Sequence, residues 1–562
     1  MKYKIKYLVT LSVCSLLAFS SCSDSWLETD PTETTEGKDI FASTSNAKLA
    51  INGICRTMVQ QHSYYGQAFN GEGTMKLLYA EYPGQDFNFP YMAPGWSAIM
   101  NNTSAQTQNS SSIYDAYPWY YYYLIVGNAN AVIKRIGDAK GPQTERDFLK
   151  AEALTFRAYA FFRLTQIYCD SWANSNNGAS KGIVLRLDEI SEAGQPTDMP
   201  LSTLAQTYER IYKDLDDALT LYKSSGLTRA KMYADAKSQI PFPDAAVAHA
   251  VYARAALTKQ DYGKALSEAQ SASKGHDLMD TNTYRSGFCT PNNEWIWGVY
   301  NDASETIWYY GWQLYMACNG YYATQGINTC INRTLVESFS DSDIRKGLFL
   351  TESTFLPEDG SAKFLDLIGT SSKTAGQFKT KNPDGSPYAP GIAAAAKANA
   401  YASKIVPTAA SQTYAYANLK FQATGQPAVG CQPIFRSSEM LLIQAEANYY
   451  LKAEKDAQNN LIALNKTSGR DANYTCTKTG EDLLTEIKKY RRLELWGEGF
   501  SWFDCKRWGD AVIRPTFKSN GNYSSYIAGT YGVDTEGSSI ATYWKWILPN
   551  READYNTAIS LK

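Results

Sequence analysis

The chain has 562 residues, 54 basic and 56 acidic side chains, a formal net charge of −2 and 44% hydrophobic residues. So balanced a charge speaks against nucleic acid as a partner, which calls for a clustered basic surface. The length would ordinarily hold several domains at roughly 100–200 residues each, although that is only a prior.

The first 22 residues read as an export signal. Lys2, Lys4 and Lys6 make a positive start, Leu8 to Phe19 runs almost wholly apolar, and Ser20, Ser21 and Cys22 follow. This is the pattern of a secretory signal peptide, here residues 1–21. The apolar run is shorter than the about 20 residues a transmembrane helix needs, and no later segment approaches that length. Small residues directly before a cysteine resemble a bacterial lipobox, with Phe19 where Leu is more usual, so Cys22 is the expected lipidation site. Several acyl chains on one cysteine, at roughly 0.8 kcal/mol per buried methylene, hold a soluble domain firmly to a membrane. Residues 22–45 are expected to form a lipidated tether, because Ser23 to Lys38 is polar and acidic and has no helical apolar period. Removal of residues 1–21 takes the formal charge from −2 to −5.

Residues 46–562 are expected to form one domain, mostly α, built from paired amphipathic helices. From Glu145 to Asp170, apolar residues recur at Phe148, Ala151, Leu154, Ala158, Phe161 and Leu164, the three-or-four spacing of a helix with one buried face. Thr203 to Tyr222 repeats the pattern, and Asp244 to Thr258 and Tyr262 to Ser273 follow as a pair separated by three residues. Tyr120 to Tyr123 is expected to pack a helix, and Glu294 to Val299 reads as a core strand. Ser438 to Leu451, Ala453 to Asn465 and Glu481 to Trp496 form a later helical set. In the pair from Ala245 to Ala272, alanines stand where two helices must approach closely, and its order resembles a tetratricopeptide unit. Such units bury their faces only by stacking, so several are expected, mainly over 115–275 and 436–500.

Long irregular stretches interrupt the helices at Asn101 to Ser112, Thr351 to Thr424 and Ser519 to Ser539. Segments of this length are usually functional loops or mobile, and the loop-rich ligand region is placed mainly at 60–112 and 280–430. Eight cysteines remain in the body without a CxxC pair, and Cys318 and Cys330 are the nearest two, open to pairing or to remaining free.

From Arg436 the sequence becomes specific. Arg436 to Ala447 (RSSEMLLIQAEA) looks like the R-x-x-E-x-L-L-x-x-A-E-A helix of the SusD-like (RagB/SusD) outer-membrane glycan-binding lipoproteins. Arg491 to Gly499 (RRLELWGEG) and Trp502 to Gly509 (WFDCKRWG) resemble the family's second signature, and Trp546 to Glu552 with Asn556 its C-terminal ending. Ala151 to Ala158 and Tyr208 to Leu215 resemble its first long helices. Ser501 departs from the family, which commonly has arginine there, and puts one structural ion pair in doubt. The matches run in order over essentially the whole chain. The resemblance implies a tetratricopeptide-like helical-repeat scaffold with long loops and a few short strands forming a ligand surface. It also implies a SusC-like TonB-dependent transporter as partner, over which such a protein sits as a lid during nutrient uptake.

The residues themselves offer little for catalysis. Three histidines (His62, His249, His276) stand apart without metal-ligand spacing, so no metal site is expected. No phosphate loop, dinucleotide fingerprint or nucleophile elbow occurs, and no cofactor is expected. Glu494 and Glu498, four apart on a helix, could serve glycoside hydrolysis as a carboxylate pair. Arg491, Arg492, Asp504, Lys506 and Arg507 surround them, which reads as an ion network at a helix end. Binding is better supplied: 13% of the chain is aromatic, with 41 tyrosines and 13 tryptophans. Sugar C–H faces lie against aromatic planes, and rigid rings give contact area at small entropy cost. Two aromatic clusters fall in loops, one with Tyr82, Trp96 and Asn101, the other with Trp308, Tyr309 and Trp312, and the resemblance puts the sugar surface in these same two regions. Non-catalytic capture of oligosaccharide is the expected function. A glycoside hydrolase using Glu494 and Glu498, or a helical-repeat scaffold for peptide or protein, are the alternatives.

Overall fold

The long helices begin where a short polar side chain takes up the unpaired amides of a first turn. In the computed structural model, which describes residues 40–88, 109–187, 198–303, 311–371, 374–427, 429–531 and 545–559, Ser43 accepts from the Asn46 amide to start α1 (Thr44–Thr57). Ser112 starts α2 (Ile113–Arg135) in the same way. Helix α3 (Gln143–Tyr168) lies almost wholly in the core. Thr203 and Gln206 form a reciprocal capping box on α4 (Leu204–Ser225), which ends at Gly226 in the left-handed region. Asp244 and Asp261 cap α5 (Ala245–Thr258) and α6 (Tyr262–Ala272). The later helices are α7 (Ala389–Ile405), α8 (Ser437–Tyr450), α9 (Glu454–Ile462), α10 (Gly480–Glu494) and α11 (Ser501–Trp508).

Every helix read from the sequence forms, with ends displaced by a few residues. Two stretches differ. The tail of the expected 453–465 helix widens into a π-turn at Ala463–Thr467. Helix α7 lies inside the 351–424 stretch expected to be irregular. Alanine is the strongest helix former, and Pro390 sits in the first turn, where its missing N–H costs nothing.

The helices pack in succession, α2 on α3, α3 on α4, α4 on α5, α5 on α6, α6 on α8, and α8 on both α9 and α10. Ala250, Ala253, Ala256, Ala265 and Ala269 are all fully buried, which lets α5 and α6 approach closely. Charged staples cross the layers. Arg157 on α3 forks onto Asp214 on α4 at 2.8 and 2.7 Å, and Arg254 on α5 forks onto Glu439 on α8 at 2.7 Å. Arg507 on α11 forks onto Glu446 on α8. Each fork is a charge-assisted, bidentate pair.

The strands are short and make two-stranded sheets. The strand Trp295–Val299, read from the sequence as core, pairs antiparallel with Gln432–Arg436. Both are buried throughout, and the second runs directly into α8. Phe87–Asn88 pairs with Cys330–Ile331. All eight cysteines among the described residues are buried and free, so Cys318 and Cys330 do not pair; each fills core volume instead. No described helix is long and apolar enough to cross a membrane.

Candidate functional site

The segment after α10 is the hub of the molecule. Helix α10 ends at Glu494, and Gly497 and Gly499 take φ of +77° and +97° to turn the chain. Glu494 and Glu498 therefore do not share a helix face, as the sequence spacing had suggested. Their partners also differ from the expected ones. Arg436 reaches Glu498 through Nε and Nη2 at 2.8 Å each, reaches Glu494 at 3.1 Å, and also holds Glu294. Arg345 and Arg470 close on the other Glu494 oxygen at 2.8 and 3.1 Å, and Lys420 adds 2.9 Å to Glu498. Arg491 instead pairs with Asp504 at 2.6 Å, and Lys506 donates to the carbonyls of Gln166 and Cys169 at 2.7 and 2.6 Å.

These contacts decide what the two glutamates can do. Burial alone would raise the Glu494 carboxyl, but the guanidiniums of Arg470, Arg436 and Arg345 outweigh it and hold it far below the usual carboxylate range. Glu498 follows the same balance, with Arg436 and Lys420 opposing burial. A glycosidase acid needs a raised pKa and access to the scissile oxygen. Glu494 is fully buried and its cations favour the ionised form, which fits a structural network better than an acid and a base.

Around this hub meet the described residues that adjoin, in sequence, the two aromatic segments. Trp496 Nε1 donates to the Asp86 carbonyl at 2.7 Å, and Arg492 grips the Asp86 carboxylate at 2.5 and 2.9 Å. Asp86 lies just before the segment that carries Trp96 and Asn101. Trp312, which adjoins the other, donates through Nε1 to the Gly497 carbonyl at 2.8 Å. Consecutive residues, 496 and 497, thus anchor both Asp86 and Trp312. Ser501, where the resemblance implies arginine, donates to Asp86 at 3.1 Å and accepts from the Gln85 amide at 3.1 Å. Asp86 takes its opposite charge from Arg492, so the missing arginine leaves no orphan carboxylate.

Of the expected ligand residues, Trp96, Asn101, Trp308 and Tyr309 lie outside the described residues, as does Cys22. Tyr82 and Trp312 are described and are both 0% exposed. Tyr82 stacks on Phe87 at 5.1 Å, and Trp312 packs edge-on against Phe421 at 4.6 Å with Lys76 over its ring. Neither offers a face to a ligand. Pro and Gly near Tyr82 suggested a loop, and the chain does turn over residues 82–86, but Tyr82 itself closes a buried helical stretch, Gly71–Lys76 followed by a π-turn at Leu77–Glu81, and its ring stays in the core. Trp312→Phe is accordingly expected to lower stability by about 1–2 kcal/mol, through one lost hydrogen bond and lost volume, with glycan affinity unchanged. Denaturant melts and calorimetry on the same variant check both halves.

Beside Trp312, Tyr315 and Tyr322 stack at 4.6 Å, and Tyr321 is 38% exposed. Asn319 is committed to Ala423, donating to its carbonyl at 3.0 Å and accepting from its amide at 2.8 Å. Among the described residues no group of His, Cys, Asp or Glu is placed to hold a metal ion.

A buried acid also braces the hub. Glu81 Oε1 accepts from the amides of Gly499 and Phe500 at 2.6 and 3.1 Å, yet burial dominates and pushes its carboxyl from 4.5 up to about 8. The folded state therefore keeps a proton that the unfolded chain releases above pH 4.5. The stabilisation from this group is complete below that pH and is lost as pH rises toward 8. Glu81→Gln should gain on the parent protein by about 3–4 kcal/mol between pH 5 and pH 8. Parallel stability–pH curves for the two proteins would refute this.

Comparison with known proteins supplies the family. A family profile described as starch-binding associating with outer membrane matches residues 75–237, and the SusD family profile matches residues 293–557. SusD-like protein P2 of Formosa agariphila is 25% identical over 270 residues, 48% of this chain and 45% of that protein, so the match spans less than half the length of the relative. A SusD-like carbohydrate binding protein from Bacteroides vulgatus superposes with a TM-score of 0.68 at 20% identity, covering 92% of this chain and 98% of that one. A SusD superfamily protein from Bacteroides thetaiotaomicron gives 0.65 at 21% identity, covering 92% and 99%. Helix order, the two profile matches and these superpositions agree: the chain belongs to the SusD-like (RagB/SusD) family.

Proposed function

We propose that this protein is a lipid-anchored, outward-facing protein of the outer membrane that captures oligosaccharide without cleaving it. It delivers that oligosaccharide to a SusC-like TonB-dependent transporter. The observation that carries the reading is the hub. Two segments that carry aromatic side chains, with Trp96 and Asn101 in one and Trp308 and Tyr309 in the other, adjoin in sequence the described residues Asp86 and Trp312, which are anchored on adjacent residues. Membership in a family with a starch-binding, outer-membrane description supports the ligand class and the location. Stacking with direct and water-mediated hydrogen bonds would give modest affinity.

The test is a glycan-array and calorimetric screen of the soluble form starting at Ser23, incubated long enough to detect hydrolysis. Binding of one glycan class with the ligand recovered intact is the expected result. Cleavage would overturn it, and silence across plant, host and microbial glycans would favour a peptide or protein ligand. Anchoring is tested separately. Cys22→Ser should shift the protein from the membrane fraction to the soluble fraction of exporting cells, and retention in the membrane would refute lipidation at that residue.

A further inference from the structure

Away from the hub, a cavity of about 700 Å3 opens between residues 369–371, 374–381, helix α7 and residues 411–413. Its walls are short extended stretches laid side by side: Gly369 donates to the Gln377 carbonyl at 2.8 Å, and Phe378 to that of Thr413 at 2.9 Å. Asn399 on α7 fixes the far wall, accepting from the Gln412 amide at 2.8 Å and donating to the Gln412 carbonyl at 3.0 Å. The volume lies within the range of about 300–1,000 Å3 usual for ligand sites.

The chemistry of the lining is one-sided. Among the described lining residues are two lysines, Lys379 and Lys381, and no carboxylate, and hydroxyls and amides supply most of the rest. Lys379 donates to the carbonyls of Leu365 and Asp366 at 3.2 and 3.0 Å and has a third donor left. The side chains of Lys381, Gln377 and Ser411 bond to no described residue. The one ring in the lining, Phe378, is buried, so no aromatic plane is available for a sugar face. Affinity here has to come from hydrogen bonds and from positive charge. The smaller cleft at Tyr262, Tyr450 and Trp508 is the reverse case: it has rings, but its Arg507 and Glu446 are already bonded to each other.

We propose that the 369–413 cavity is a second saccharide subsite that selects an acidic sugar, with Lys381 and Lys379 meeting its carboxylate or sulfate ester and the amides and hydroxyls meeting its ring hydroxyls. The inference rests on the glycan-capture reading above, and it adds the charge class of the ligand. Calorimetry on the full-length chain in detergent, with oligogalacturonate and chondroitin sulfate tetrasaccharides as acidic probes and cellotetraose as neutral control, tests it. At least one acidic probe should bind, more weakly as salt rises, and should bind equally to the Trp96→Ala, Trp308→Ala double variant. Lys381→Gln together with Gln377→Ala should weaken it by about tenfold or more. Both side chains are unbonded, so the variant should fold, and its circular dichroism and melt verify that. Preference for the galacturonate or for the sulfated probe tells which oxyanion is read. Failure of both acidic probes to bind, or binding untouched by the Lys381 and Gln377 substitutions, overturns the subsite. If neutral glycans still bind in that case, capture at the loops stands; if no glycan of any class binds in the wider screen, the reading beneath it falls as well.

Discussion

Arg436→Leu is expected to cost about 3–5 kcal/mol of stability, or to prevent accumulation of native protein altogether. The guanidinium is at most 1% exposed and is the shared partner of Glu294, Glu494 and Glu498. Ion pairs this deep are weak evidence for stability when compared with an apolar core, because both charges had to be desolvated. Removing only the cation is a different comparison, since it strands negative charge where water cannot reach. Arg470, Arg345 and Lys420 remain, but they already serve the same carboxylates, and none of them takes the bidentate position on Glu498. Guanidinium melts of the variant should show a lower midpoint at an unchanged slope. An unaltered midpoint would mean that the network is dispensable and would reopen a chemical role for Glu494. Glu494→Gln tests that role directly: lost stability with no change in any sugar release is the structural outcome.

The double substitution Trp96→Ala, Trp308→Ala is expected to weaken capture of the loop-bound glycan by about a hundredfold or more. Interface hot spots centred on tryptophan carry about 2 kcal/mol or more each, and every 1.4 kcal/mol is roughly tenfold in affinity. The melting behaviour should not change, in contrast to Trp312, whose ring is core. Calorimetry against the glycan found in the screen is the measurement. Full affinity in the double variant would move the binding surface for that glycan off these two segments.

The helical scaffold was legible in the sequence because its signals are local. Caps such as Thr203 and Asp244, apolar spacing, and alanines at close approaches each act within a turn or two. Helix α7 was missed although alanine propensity alone could have found it, since the Gly, Pro and Lys around it dominated the reading. The hub was legible only in part. Glu494 and Glu498 were read as structural, but their real partners Arg345, Lys420, Arg436 and Arg470 lie 24 to 149 residues from Glu494 along the chain, and no periodicity reports such pairings. Of the neighbours in sequence, Arg492 is two residues from Glu494 and so lies on another face of α10, and Arg491, although three residues away, is taken by Asp504. Tyr82 and Trp312 show the limit of reading aromatics by their surroundings. Pro and Gly nearby mark a turn in the backbone, but they do not tell whether the ring beside them faces water or the core.

The free cysteines have a consequence for how this protein fails. Burial pushes the Cys169 and Cys318 thiols up to about 12, and it raises those of Cys55 and Cys330 as well, so almost none of them is thiolate at neutral pH. Thiolate is the reactive form. The folded chain can therefore sit in an oxidising environment with these four sulfurs chemically silent. That protection is a property of the fold and vanishes with it. One unfolding event releases eight thiols together, free to cross-link at random with one another and with other chains. Loss of structure then becomes a one-way step whose rate, more than its equilibrium, sets the lifetime of the protein in an oxidising environment.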